Sequence, residues 1–494
     1  MKKKHFISIL LVMLMVVSVT SGCGKKTASV KKESDSKVTE KDDTGTEEEG
    51  PKEIIEFTAF FGVPGSELND DNYMKGVIAE KTGVKVKEVW LTGQTPEEAV
   101  GTLIAGGEYP DFIEGAGGQQ QLYEAGALVA LDDYIDNYPN IKKFFTAQEW
   151  DMLRQDDGKI YWLPQFSNIK GAAKVCTHND EAFWIQTRVL KWADYPDIRT
   201  MDEYFDLIEA YNAANPTMED GTANIPYTIL CEDWRYFCLE NAPQFLDGYP
   251  NDGCAIVDVA TEKVIDYNTT ETAVKYFKKL NEEYHKGIVD KESFTQSYDE
   301  YIAKVSTGRV LGMIDQWWNF AYTAGDAIKQ AGLDEQGCEY VPLPITISRD
   351  VENQWNCSGA VVNVSSGLAI TTSCHDVEAA LQFVDDLLDQ ELHDMRFWGE
   401  EGTDYLVDEK GEFYRTPEMR TKGSDTTHKA AHACSYSYFP QYSGTSDDGI
   451  NANKPDGQGS EFFDGLSDNL KECFAAYGAQ TYVDMIGTTE SPGS

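Results

Sequence analysis

Two hydrophobic patterns take turns at the start of the foldable part of the chain. Residues 53–60 (EIIEFTAF) and 84–90 (VKVKEVW) set apolar positions against polar ones as strands do, and 111–114 (DFIE) is a short third strand. Between the first two, 72–82 predicts a helix that stops at Gly83. Between the second and third, Thr95-Pro96-Glu97-Glu98 is a helix start, with Thr at the cap, Pro in the first turn and Glu three residues after the cap. That helix carries Val100, Leu103 and Ile104 and ends at Gly106-Gly107; 121–131 and 133–145 read as helical or turn-rich. Strand, helix, strand, helix, strand predicts an α/β unit with a mainly parallel sheet. Such sheets hold ligands outside the carboxyl ends of their strands, which points at Phe60-Phe61 and Gln119-Gln120.

The rest of the chain continues the mixture. Residues 157–165 (DGKIYWLPQ) turn at Asp157-Gly158 and run into a strand closed by Pro164, and from Phe183 the pattern reads as helical. Thr200 and Glu203 cap a helix with Met201, Phe205, Ile208 and Tyr211 on one face; Thr269 starts another, with Val274, Phe277, Leu280 and Tyr284 in line. Residues 306–319 (STGRVLGMIDQWWN) read as turn, strand and aromatic loop. Two prolines make 340–347 (YVPLPITI) extended, and 367–372 (GLAITT) is a strand. Ser373-x-x-Asp376 then caps a helix with the stripe Val377, Leu381, Val384, Leu388 and Leu392. Further helices fall near 460–476 and 480–486.

The first 23 residues follow a different logic. Lys2, Lys3 and Lys4 precede an apolar run over 6–19, and Thr20-Ser21-Gly22-Cys23 follows. This is a secretory signal, its apolar run too short to span a bilayer. Ser-Gly-Cys resembles a lipobox, with Thr20 where such motifs usually carry Leu, so Cys23 is the expected lipidation site. Residues 23–52, polar, charged and without an aromatic residue, are the expected disordered tether. The mature protein is expected on the outer face of the cytoplasmic membrane.

Charge narrows the partners. A net charge of −42 repels phosphate backbones and anionic head groups, which excludes nucleic acid and leaves the membrane to the lipid anchor. Aromatic residues make up 12% of the chain, and its 10 Trp and 26 Tyr suit binding surfaces. After Cys23 nine cysteines remain, with no C-x-x-C spacing; they read as buried thiols, with a Cys231–Cys238 or Cys238–Cys254 bridge left open. His428 and His432 lie four apart with Cys434 nearby, but no fourth ligand is visible, so they read as a surface pair. No Gly-x-Ser-x-Gly or phosphate-cradling Gly-Lys loop occurs, and Glu400-Glu401 among 84 acidic residues is no evidence for a glycosidase pair.

Several motifs, in order, resemble the extracellular solute-binding proteins of family 1, the sugar-capturing lipoproteins of ABC importers, in their LplA-like oligosaccharide-binding branch. They are Asp157 to Pro164 ("DGKIYGLP"), the helix from Thr200, Gly287-Ile288-Val289-Asp290 ("kGlidpe"), Thr307 to Trp318 ("sGkvGmf.g.w") and Gly399 to Tyr405 ("GiEGvdY"). The resemblance implies a two-lobed periplasmic-binding-protein-like clamshell with an interlobe hinge. Its first α/β lobe would be residues 53–166 plus 359–394, its second 167–358 plus 395–494. It implies a monomer that is no enzyme and needs no cofactor or metal, capturing a carbohydrate for a permease. The rival reading is a secreted, lipid-anchored glycoside hydrolase. Aromatic rings stack on sugar faces and carboxylates or amides meet hydroxyls. The candidate contacts are therefore Trp317, Trp318, Asp315, Glu400, Tyr405, Trp234 and Tyr236, then Phe61, Gln119 and Trp162. Two departures stand out. The branch's "IRkDWL" is here Ile185-Gln186-Thr187-Arg188-Val189-Leu190, and the loop 215–224 (NPTMEDGTAN) keeps too few oxygen ligands for the calcium that the branch can hold there.

Overall fold

In the computed structural model, which describes residues 54–166, 168–249, 255–258, 261–355 and 362–487, the strand Ile55–Phe61 pairs in parallel with Val84–Trp90 on one side and Phe112–Glu114 on the other. Cys23 and the tether lie outside the described residues. Leu368–Ile370 extends this sheet antiparallel to Phe112–Glu114, and Trp162–Leu163 completes it. The helices that make the parallel pairing possible are capped as their sequences dictate. Asn72 accepts from the Lys75 N–H at the start of Tyr73–Thr82, and Thr95 and Glu98 close a reciprocal box on Pro96–Gly106. Gly83 ends the first helix at φ 73°, a conformation that a side chain would strain. One face of the sheet buries Phe57, Ile78, Val86 and Phe383, the other Val100, Ile113, Leu122 and Trp162.

A second sheet runs in the order Tyr340–Leu343, Glu181–Gln186, Val310–Gln316, Ile225–Thr228. The helix expected from Phe183 is instead a central strand, Glu181–Gln186, buried at all six positions and followed by the helix Thr187–Trp192. A strand covered on both faces loses its alternation, and a short apolar run then looks the same in either conformation. Helix Met201–Ala214, with the expected Thr200–Glu203 box, packs Tyr204, Phe205 and Ile208 on this sheet. Gly312 admits it: a Cβ there would lie 2.3 Å from the Tyr204 hydroxyl. The fold is thus α/β with two lobes, each with its own sheet and core.

Two further expectations need correction, and the open question of a bridge at Cys238 closes. The helix Val377–Leu387 is capped by Asp376 rather than Ser373. The region after residue 394 does not all belong with the second sheet: Cys434, Tyr436, Phe439 and Tyr442 are buried in the first core. Their segment is held by Arg396, a buried guanidinium that donates to the carbonyls of Leu387, Ser435, Tyr436, Phe439 and Pro440 at 2.8–3.3 Å. Finally, Cys231 and Cys238 are free thiols, so neither bridge forms at Cys238; Cys254 lies outside the described residues. Among the described residues no helix is long and apolar enough to cross a membrane.

Candidate functional site

The parallel strands of the first sheet end in step. Phe61 pairs with both Trp90 and Glu114, so Trp90 and Glu114 flank it at the carboxyl edge, where α/β sheets present ligand sites. Phe61 itself is fully buried against Trp90, Tyr438 and Phe439, so it supports this wall and cannot touch a ligand. The wall is made by its neighbours. Tyr438 meets Trp90 and Phe166 edge-on, each with ring centroids 5.3 Å apart; Trp90 and Tyr438 are half-buried, and Phe166 is 45% exposed.

The second sheet supplies another aromatic surface. Strand Val310–Gln316 runs into a single helical turn, Trp317–Phe320, where a strand-end loop was expected. The helical turn separates the two tryptophans. Trp317 turns inward against Trp184, Phe320 and Tyr482. Trp318 stacks on Trp234, with ring centroids 5.8 Å apart and planes at 15°, and its indole N–H donates to the Gln316 side chain. Trp234 follows the strand Ile225–Thr228, which runs parallel to Val310–Gln316, so both indoles leave the same sheet edge. Trp234 and Tyr236 are 37% and 51% exposed.

A buried polar chain fixes these rings. Asp315 is wholly buried and accepts from the Tyr301 hydroxyl (2.6 Å), the Gln316 N–H (2.7 Å), Asn319 Nδ2 (3.0 Å) and the Cys238 thiol (3.2 Å). Burial raises its pKa, and these donors oppose the rise. It is therefore an anchor, not the exposed hydroxyl acceptor expected. Asn319 Oδ1 in turn accepts from Arg235 Nε at 3.1 Å. The Arg235 guanidinium lies between two rings, 4.4 Å from the Trp234 centroid and 4.1 Å from that of Tyr298. Only its Nε is spent on a protein acceptor among the described residues.

The two surfaces lie within electrostatic reach of each other. The Tyr438 hydroxyl, whose pKa is raised first by burial, also feels Glu114 from the first sheet and Arg235 and Tyr298 from the second lobe. Three non-glycine residues with left-handed backbone sit in the segments that carry this site: Ala116 (φ 46°), Asp233 (φ 52°) and Tyr436 (φ 45°). Each such residue costs about 1–3 kcal/mol and clusters of them mark functional segments.

The other expected contacts lie elsewhere or are covered. Gln119 is buried, with its Oε1 accepting from the Gly115 N–H. Trp162 is 2% exposed and donates to the Val364 carbonyl. Tyr405 is buried between Trp398 and Phe413, and exposed Glu400 accepts from the Tyr73 hydroxyl, away from the stacked indoles. Trp90, Phe166, Tyr438, Arg235 and Tyr298 were missed. Trp90 alone had a signal, as the last residue of a predicted strand. In the loop 215–224, Asn224 Oδ1 accepts from Arg188 at 3.1 Å and Asp220 from the Thr222 N–H, so two of the loop's oxygen ligands are already engaged.

Glu114 yields a pH prediction. Burial lifts its pKa to about 7, against the pull of the Ala116 N–H and Ser366. Its stabilising share is complete below the unfolded value of 4.5 and is lost as pH rises towards 7, by up to about 3 kcal/mol. Glu114→Gln is expected to raise the Tm more at about pH 8 than at about pH 4.5. Equal shifts at both pH values would mean that the carboxyl is not held protonated by burial.

Residues 77–395 match the profile of the family described as bacterial extracellular solute-binding protein. Over 245 residues, 46% of this chain, the sequence is 26% identical to the fructooligosaccharide ABC transporter substrate-binding protein FusA of Streptococcus pneumoniae, and the alignment spans only 43% of that protein's length. The fold is similar to that of FusA in complex with kestose (TM-score 0.59, 17% identity, covering 88% of this chain and 85% of that one). It is also similar to an HMO-binding, ABC-transporter-associated solute-binding protein from Bifidobacterium longum infantis (TM-score 0.57, 17% identity, 86% and 83% covered). With two lobes, each with its own sheet and core, and a profile match over most of its folded part, the chain belongs to the bacterial extracellular solute-binding protein family.

Proposed function

We propose that this protein captures an oligosaccharide between its lobes and delivers it to the permease of an ABC importer, as a monomer held at the outer face of the cytoplasmic membrane by lipid on Cys23. The observation that carries the reading is the pair of aromatic surfaces, Trp90–Phe166–Tyr438 at the carboxyl edge of the first sheet and Trp234–Trp318 at that of the second, with Arg235 held between the Trp234 and Tyr298 rings. Flat rings match the apolar faces of sugar units, and the guanidinium N–H groups of Arg235, 7% exposed, are donors suited to their hydroxyl oxygens. FusA, named for fructooligosaccharides, supports this size of ligand.

A thermal-shift screen against oligosaccharides of increasing length tests the reading, because a ligand that prefers the folded state raises Tm. Saturable, stoichiometric binding with the sugar recovered intact is expected. Turnover of the sugar would favour the lipid-anchored glycoside hydrolase. No shift with any oligosaccharide, together with one from a peptide, would replace the ligand class. Cys23→Ser is expected to abolish incorporation of labelled fatty acid and release the protein from membranes; retained label would place the anchor elsewhere.

A further inference from the structure

The strongest cluster outside the aromatic site lies on the short helix Thr426–His432. His428 and His432, one turn apart, stack with ring centroids 4.7 Å apart and planes at 21°. The fold adds a third group from a distant stretch of sequence: both carboxylate oxygens of Asp404 lie 2.9 Å from His432 Nε2. One ligand atom from each of the three falls within 4.8 Å of the others, and all three side chains are partly exposed. Cys434, the sequence neighbour, is instead buried in the first core.

The surroundings hold these groups in place. Asp404 Oδ2 accepts from the Glu400 N–H at 2.9 Å, and Gly399 makes room for it, since a Cβ there would come within 2.5–2.7 Å of that carboxylate side chain. The His432 ring lies parallel to Tyr73, with centroids 5.0 Å apart and planes at 4°. The Tyr73 hydroxyl donates to Glu400 Oε2.

We propose that Asp404, His428 and His432 form a binding site for a borderline divalent transition-metal ion such as Zn²⁺, with water completing the coordination. Two imidazoles and one carboxylate suit such an ion, whereas calcium and magnesium prefer oxygen ligands throughout. The role that fits is structural. Asn72 Nδ2 donates to the carbonyls of Ala430 and Ala433, tying the helix to the first lobe. Lys429 pairs with Asp326, and Gln330 donates to the Ser424 carbonyl, tying the same strap to the second lobe. A helix of one or two turns is marginal alone, so an ion joining it to the 399–404 loop would stiffen a crossing between the lobes.

The test uses untagged protein stripped with a chelator, then titrated with Zn²⁺ by calorimetry and with Co²⁺ by visible absorption. One ion per chain, a tetrahedral Co²⁺ spectrum and a Tm rise on Zn²⁺ are expected. His428→Asn, His432→Asn and Asp404→Asn should each weaken binding about tenfold or more. Because His428 is partly exposed, His428→Asn should keep the parent Tm in chelator, so its loss of binding is read on folded protein. Absence of stoichiometric binding, or binding unchanged in folded His428→Asn, would overturn the site.

Discussion

Trp234→Ala and Trp318→Ala are each expected to weaken binding of the oligosaccharide that shifts Tm most by about tenfold or more, equivalent to roughly 1.4 kcal/mol, while leaving the fold intact. The two indoles form one stacked surface, so removing either exposes the remaining face to water and lowers the area offered to a sugar ring. Trp234 is more than a third exposed, so its loss should leave little cavity. Tyr438→Ala, from the opposite wall, should weaken binding comparably if the ligand spans both surfaces. Trp317, turned into the core, gives the contrast: Trp317→Ala should lower stability more than affinity. Calorimetry on the folded variants decides the matter. Wild-type affinity in both Trp234→Ala and Trp318→Ala would remove this surface from the site.

Arg396→Ala is expected to be the most destabilising of these changes, by about 3 kcal/mol or more. Its guanidinium satisfies five carbonyls across two segments and is 3% exposed; burial pulls its pKa down to about 9, still cationic at neutral pH. Truncation leaves buried carbonyls unpaired and a cavity beside Tyr436, whose left-handed backbone depends on its surroundings. Arg396→Lys should recover only part of the loss, because one ammonium has three donors against five. The urea midpoint measures the effect, and a change below about 1 kcal/mol would mean that the clamp is not what holds the segment. The same segment carries Tyr438, so the variant should also weaken sugar binding.

Local signals were the most legible part of this chain. The caps at Thr95 and Thr200 were readable because a capping box is a contact between residues three apart. The parallel sheet followed from strands that alternate with helices. The strand Glu181–Gln186 escaped because burial on both faces removes the period on which such a reading depends. The site divided in the same way. The sequence marks an aromatic loop after the strand that leads to Trp317-Trp318, but one helical turn decided that Trp318 faces Trp234 and Trp317 faces the core. Phe61 and Trp162 look like Trp234 in sequence, and only packing separates them.

What the sequence alone determined is therefore what neighbouring residues can settle: the α/β class, the helix starts, a strongly acidic chain, and a motif order resembling sugar-binding lipoproteins. What the tertiary structure decided are contacts between residues far apart in sequence. Tyr438 reaches the first sheet some 350 positions after Trp90; Asp315 holds Arg235 through Asn319; Asp404 meets His432. These pairings come from how the two sheets and their covering segments bury apolar surface. No local pattern encodes them, because each side chain's role depends on which surfaces the rest of the chain has already covered.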